Sequence, residues 1–341
     1  MKREYVGLDF IKVFAAVGIV GIHANVPIIN TFGRLGVPYF AIVSSFLFFS
    51  KYNHLPELKR YRYALHFTKR IMYLFFAWEL IYLPSAYVYL RMDMNNYGTR
   101  GLLNFIFHFF FPPFPLTNGW GQSWYLIGIA IAVPLIVILS HYFSKLVLGF
   151  VCLLLCLFYL WYSNQLLFNV SVHLPHFLYW FLGPFGSSSF PILAIYAFIG
   201  LILSNYKSIE LNKLNKCLIV NICILLLIVY GIENVILWFT TNNGDSAFTL
   251  LTIPTAVTLT FLGLILKVRM KNYMFWRQFS TFLYCIHIGI IHCFAILKLY
   301  CAIKINSFII FFLTIIISFG IYCIYYLLKS KYYLKWLNIF V

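Results

Sequence analysis

The stretch Leu8–Pro27, LDFIKVFAAVGIVGIHANVP, decides how the rest of the chain is read. It is an apolar segment of membrane-spanning length that carries Asp9, Lys12 and His23, three groups that lipid rejects. Lys12 and His23 are eleven residues apart. That is about three helical turns, so both project from one face about 16 Å apart along the axis. A basic group near the cytoplasmic end and an imidazole deep in the membrane suit the two ends of one elongated ligand. Ionisable groups in a spanning helix usually face a bundle interior or a water-filled cavity, which makes them functional candidates. The same pattern also suits a first helix with a snorkelling lysine and a histidine satisfied by a neighbour.

The chain of 341 residues is 63% hydrophobic and 10% charged, with a mean hydropathy of +0.89. Only repeated spanning segments consume so much apolar sequence, so the expected fold class is all-α, a polytopic membrane helix bundle forming one domain over residues 1–341. About ten transmembrane helices are expected, at roughly 8–29, 35–50, 71–90, 123–140, 145–162, 189–204, 217–239, 248–266, 278–298 and 307–328. A net charge of +17 would point to nucleic acid in a soluble protein. Here the basic residues fall in short loops at alternate helix ends. With the N-terminus inside, nineteen lysines and arginines lie on the inner side and five on the outer, which places both termini in the cytoplasm. Positive-inside topology accounts for the charge, and no nucleic-acid role is expected.

The eight cysteines lie in or beside apolar segments with no CxxC pair, and read as small hydrophobes rather than as a disulfide set or zinc site. Lys2 and Arg3 precede the first apolar run as in a signal sequence, but no small-residue cleavage site follows, so the run is an uncleaved first span. After the tenth segment only KSKYYLKWLNIFV remains, and no fused extracytoplasmic domain is expected.

Two outer segments are longer than a hairpin needs. One, from about Arg91 to Gln122, contains NFIFHFFFPPFPLTNGWG; its proline-broken run cannot span as a regular helix and suits a dip into the outer interface or a cap on a cavity. The other, about Ser163 to Ser188, has no Lys or Arg but carries amides, aromatics, His173 and His176. Such side chains suit a sugar, and equally an interfacial aromatic belt. With no third ligand near the two histidines, no metal site is expected.

Further polar groups sit in apolar sequence. Glu79 in the third segment and Glu233 in the seventh each need a proton or a partner, for chemistry or for interhelical hydrogen bonding. In the ninth segment, Ser280, Tyr284 and His287 recur at i, i+4 and i+7 as one polar stripe, whereas His292 lies about 140° round from His287. That stripe suits either a cavity shared with the first helix or a seam that glues helices. The loop from Lys51 to Arg70 packs six basic residues against Glu57. It suits a phosphorylated ligand at the cytoplasmic mouth, or topology and attraction to anionic lipid.

These residues in this order resemble the acyltransferase 3 family of bacterial integral-membrane acyltransferases. Leu8-Asp9 and Lys12…His23 are similar to the family's first span, which more often has arginine at the Lys12 position. Gly36, Val37, Pro38, Phe40 and Ser44 follow its second-span pattern, with Ser45 in place of the usual glycine. Lys69-Arg70 fits the first of the family's paired arginines before the third span; Met72 and Tyr73 leave the second unfilled. Trp124-Tyr125-Leu126 is similar to its Trp-Phe-Leu opening of the fourth span, and Ser280…Tyr284…His287 to its late Ser…Tyr-Leu-x-x-His signature.

The resemblance implies a multi-pass protein of the bacterial cytoplasmic membrane. It would move an acyl group, usually acetyl, from cytoplasmic acyl-CoA to a glycan or lipid-linked sugar, with no permanently bound cofactor. It points to His23, His287, Tyr284 and Asp9 for catalysis and to Lys12, Lys69 and Arg70 for the donor. Ser44, Glu79, Trp124 and Glu233 are assigned to the acceptor. His23 is expected to act as general base or acyl carrier, and Asp9 to pair Lys12 or hydrogen-bond a neighbour. A polysaccharide exporter or flippase on the same bundle is the alternative, and a non-catalytic sensor or assembly partner a third. A homo-oligomer is left open.

Overall fold

In lipid a backbone satisfies its polar groups only within itself, so each long apolar run is driven to helix. The computed structural model describes residues 5–110, 120–167, 190–206, 215–241, 248–301, 305–331 and 334–341. Its helices are α1 (Val6–His23), α2 (Pro27–Gly33), α3 (Gly36–Tyr52), α4 (Glu57–Tyr97), α5 (Thr99–Phe110) and α6 (Ser123–Tyr142). There follow α7 (Lys145–Leu167), α8 (Phe190–Ser204), α9 (Lys216–Thr241), α10 (Thr252–Ile265), α11 (Tyr273–Cys301) and α12 (Ser307–Lys331), and a closing 3-10 turn, Lys335–Phe340. Among the described residues there is no strand, and the fold is an all-α polytopic bundle. Eight helical stretches there are long and apolar enough to cross a membrane, α2 and α3 counting as one stretch of 26 residues; α8 and α10 are apolar but shorter.

Each of the ten apolar segments meets a helix, and the first and third depart furthest from their expected bounds. The first helix ends at His23, not near residue 29. Asn25 takes a left-handed φ of 55°. Its N–H donates to the Ile22 carbonyl at 3.1 Å, and that of Val26 to the Gly21 carbonyl at 3.0 Å, the paired bonds of a Schellman stop. Pro27 then opens α2 from a position where a helix needs no N–H. The imidazole expected deep within a longer helix therefore stands on its last turn. The third span, expected at 71–90, is the middle of a 41-residue helix, about 61 Å long. Arg70 and Arg91, expected to bound the span, lie inside the helix and do not stop it. For the same reason the basic loop expected at 51–70 is largely helical, with α3 and α4 separated only by a short turn at 53–56. The Phe-rich outer segment begins as α5, a 12-residue helix packed on α4 and too short to span; residues 111–119 lie outside the described residues. So do His173, His176 and the outer segment beyond α7.

The chain divides into two units, Met1–Phe40 with Leu259–Val341, and Ala41–Thr258. In the first, α1 packs against α2, α11 and α12, and α11 against α12. The α1–α2 hairpin closes on glycine: a Cβ on Gly33 would collide with the Gly18 carbonyl, and one on Gly18 would lie 2.9 Å from the Gly33 Cα. Between α11 and α12, Phe275, Phe279 and Phe282 meet Tyr322 with ring centroids 4.8–5.4 Å apart. The Tyr325 hydroxyl donates to the Leu337 carbonyl at 2.9 Å and ties down the closing turn.

In the second unit α6 packs against α4 and α8, and α7 against α8. Trp120 stacks on Tyr82, their centroids 5.3 Å apart and planes 4° from parallel. The 15-residue α8 buries ten of its fourteen described residues, so its shortness is met largely by protein.

Candidate active site

A carboxylate in an apolar helix needs a counter-charge, and Asp9, 1% exposed, has one. Arg277 on α11 donates from Nε to Asp9 Oδ1 at 2.8 Å and from Nη2 to Oδ2 at 2.6 Å, a bidentate pair. Of the two expectations for Asp9, pairing with Lys12 and bonding to a neighbour, the structure shows a neighbour. The Tyr273 ring centroid lies 5.6 Å from the guanidinium carbon. The Ser280 hydroxyl, first residue of the expected polar stripe, donates to the Arg277 carbonyl at 2.8 Å within its own helix. One turn before Lys12, the Tyr39 hydroxyl donates to the Leu8 carbonyl at 3.0 Å and draws the start of α3 onto α1.

Lys12 is buried on α1 with its ammonium 5.9 Å from the Phe40 ring centroid. From there a series of ring contacts runs toward His23. Phe40 meets Tyr284 at 6.1 Å between centroids, Tyr284 meets His287 at 6.1 Å, and His287 meets His23 at 5.3 Å. Phe40, Tyr284 and His287 are all buried, while His23 is half-buried. The helical spacing of the sequence thus becomes one connected path: α1 carries its two ends, and α3 and α11 fill the interval.

At the far end of that path the two imidazoles lie with their planes inclined at 41°. His287 Nδ1 is 3.0 Å from the Leu283 carbonyl oxygen, one turn back on α11. A carbonyl only accepts, so Nδ1 carries the hydrogen and the neutral ring presents its lone pair at Nε2. His292, half-buried, lies further along the same helix.

The remaining candidates belong to the second unit. Lys69 and Arg70 are exposed on α4, and Glu79 is buried further along the same helix. Ser44, half-buried on α3, lies beside Tyr125 of α6. Trp124, half-buried, sits edge-on to Tyr125 at 6.4 Å. Glu233 caps backbone. Its two carboxylate oxygens accept the N–H groups of Leu250 at 2.9 Å and Leu251 at 3.2 Å, ahead of α10.

A family model described as an acyltransferase domain matches residues 5–327. The chain belongs to the acyltransferase 3 family. Comparison with curated proteins and with solved structures finds no match. With its membrane-crossing helices, this acyltransferase 3 protein is a multi-pass membrane acyltransferase. Both histidines and the lysine of the path fall inside the matched region, on α1 and α11.

Sequence reasoning missed two contributors to this site. In sequence Arg277 is one of the nineteen inner-side lysines and arginines; the signal that finds it is Asp9 itself, an acid in a span that needs a cation from another helix. Phe40 was read as part of a second-span pattern, yet it is the contact that joins Lys12 to Tyr284. Nothing in the sequence alone assigns an aromatic ring to one neighbour.

Proposed function

We propose that this acyltransferase moves an acyl group, most simply acetyl, from cytoplasmic acyl-CoA to a hydroxyl of a cell-surface or lipid-linked glycan in a bacterial cytoplasmic membrane. The observation that carries the reading is the connected path from Lys12 to the paired imidazoles. It offers a cation for phosphate at one end, rings to lie along a pantetheine arm, and a proton acceptor at the other. Donor recognition is assigned to Lys12, Lys69 and Arg70, and acceptor recognition to Ser44, Glu79 and Trp124.

In the reaction the acceptor hydroxyl attacks the thioester carbonyl carbon while His23 takes its proton. The new C–O bond forms, the C–S bond breaks, and the departing thiolate takes the proton from His23 to leave as the thiol. Tyr284 is assigned to the oxygen that gains negative charge during the attack. Asp9 works through Arg277 by holding the inner end of α1 against α11.

The test is transfer from radiolabelled acetyl-CoA to a candidate glycan by purified protein in liposomes. Wild-type protein labels the acceptor, and His23→Ala protein that folds and inserts normally does not. Labelling by His23→Ala at the wild-type rate removes His23 from the mechanism. Passage of unlabelled acceptor across the bilayer, without transfer, replaces the enzyme reading with an exporter.

A further inference from the structure

His287 is the most enclosed polar side chain along the path, 0% exposed, and its Nε2 has no hydrogen-bond partner among the described residues. Native proteins pair nearly all such atoms, so a buried acceptor left open marks a place where a donor arrives. The ring facing it is that of His23, 5.3 Å away between centroids. Rings at that spacing are in contact, and no substrate group fits between them.

Resting on the assignment of proton transfer to His23, we infer that His287 is a positioning residue whose Nε2 accepts the N–H of His23 and so fixes which His23 nitrogen faces the acceptor hydroxyl. The polarity follows from the Leu283 carbonyl. It holds the hydrogen of His287 on Nδ1, which leaves Nε2 as the acceptor, and the nitrogen of His23 turned toward His287 becomes the donor. The opposite nitrogen of His23 then carries the lone pair that takes the hydroxyl proton. During transfer His23 holds two protons and leans on His287. When the thiolate departs it takes the hydroxyl proton, and His287 gains and loses none. The arrangement orients the base as the carboxylate of a catalytic triad does, but with an uncharged group, which suits a site in the membrane.

Two measurements on the full-length protein test this. In liposome kinetics, His287→Leu lowers kcat about 100-fold with donor KM unchanged, and His287→Gln, whose amide oxygen accepts the same N–H, recovers about tenfold of that loss. In detergent, wild-type protein labelled with nitrogen-15 histidine shows a coupling across one imidazole–imidazole hydrogen bond, which disappears in His287→Gln. Wild-type kcat in His287→Leu, a Gln variant no better than Leu, or no coupling in the wild type each overturns the inference. If His287→Leu does not fold, the wild-type spectrum decides. Activity in His23→Ala sinks the underlying reading, whereas loss there with full activity in His287→Leu sinks only this one.

Discussion

Asp9 and Arg277, 268 positions apart in sequence, meet through two parallel hydrogen bonds of 2.8 and 2.6 Å. The pair fastens the beginning of α1 to the beginning of α11, the two helices that bring His23 and His287 together. Removing either partner strands a charge. With the Arg277 side chain 35% exposed, the loss falls toward the low end of the range for buried pairs, about 3 kcal/mol. Asp9→Ala and Arg277→Ala are each expected to lower the melting temperature in detergent, and the reversal Asp9→Arg with Arg277→Asp to recover part of it. Unchanged melting in both single variants shows that the pair fastens nothing.

Lys12 is the buried cation at the start of the path. Lys12→Met keeps the stem and its packing on Phe40 but removes the charge. Donor KM is expected to rise about tenfold, the equivalent of 1.4 kcal/mol, with acceptor KM unchanged. An equal rise in both constants, measured by varying each substrate in turn, assigns Lys12 to general packing.

Asn25 holds the left-handed position that ends α1 just beyond His23. Glycine adopts this conformation without penalty, whereas for a β-branched residue it costs about 1–2 kcal/mol. Asn25→Gly is expected to melt and turn over like the wild type. Asn25→Val is expected to lose both stability and kcat, because the turn beneath the imidazole reopens. Equal behaviour of the two variants in melting and kinetics removes the stop from any role in placing His23.

Glu233 reads from sequence as an acid that a sugar hydroxyl could use, yet both its oxygens already accept backbone N–H groups. Glu233→Ala is expected to cost about 1–2 kcal/mol of stability, the usual worth of a helix cap, with acceptor KM unmoved. A raised acceptor KM at full stability returns Glu233 to the acceptor site.

The bundle was legible because spanning length and apolarity are physical requirements that leave long marks in sequence. Asp9, Lys12 and His23 were legible because a titratable group in such a mark is expensive and stands out. What the sequence concealed were endings and partners. The basic residues before Arg70 read as loop, although α4 carries them as helix, since lysine and arginine are good helix formers as well as signs of water. The end of α1 was hidden because an apolar run continues through Val26 and Ile28 while the backbone turns at Asn25. Arg277 was one cation among many, and only three-dimensional proximity singles it out.

The brevity of α10 has a consequence for the chain that enters it. Fourteen residues cover about 21 Å against a hydrocarbon layer about 30 Å deep, so the helix alone does not make the full crossing. The amides at Leu250 and Leu251 come just before its first turn, and the Thr249 N–H donates to the Thr252 hydroxyl at 2.9 Å. Glu233 accepts the Leu250 and Leu251 N–H groups, and so moors the chain that enters this short helix to its neighbour α9.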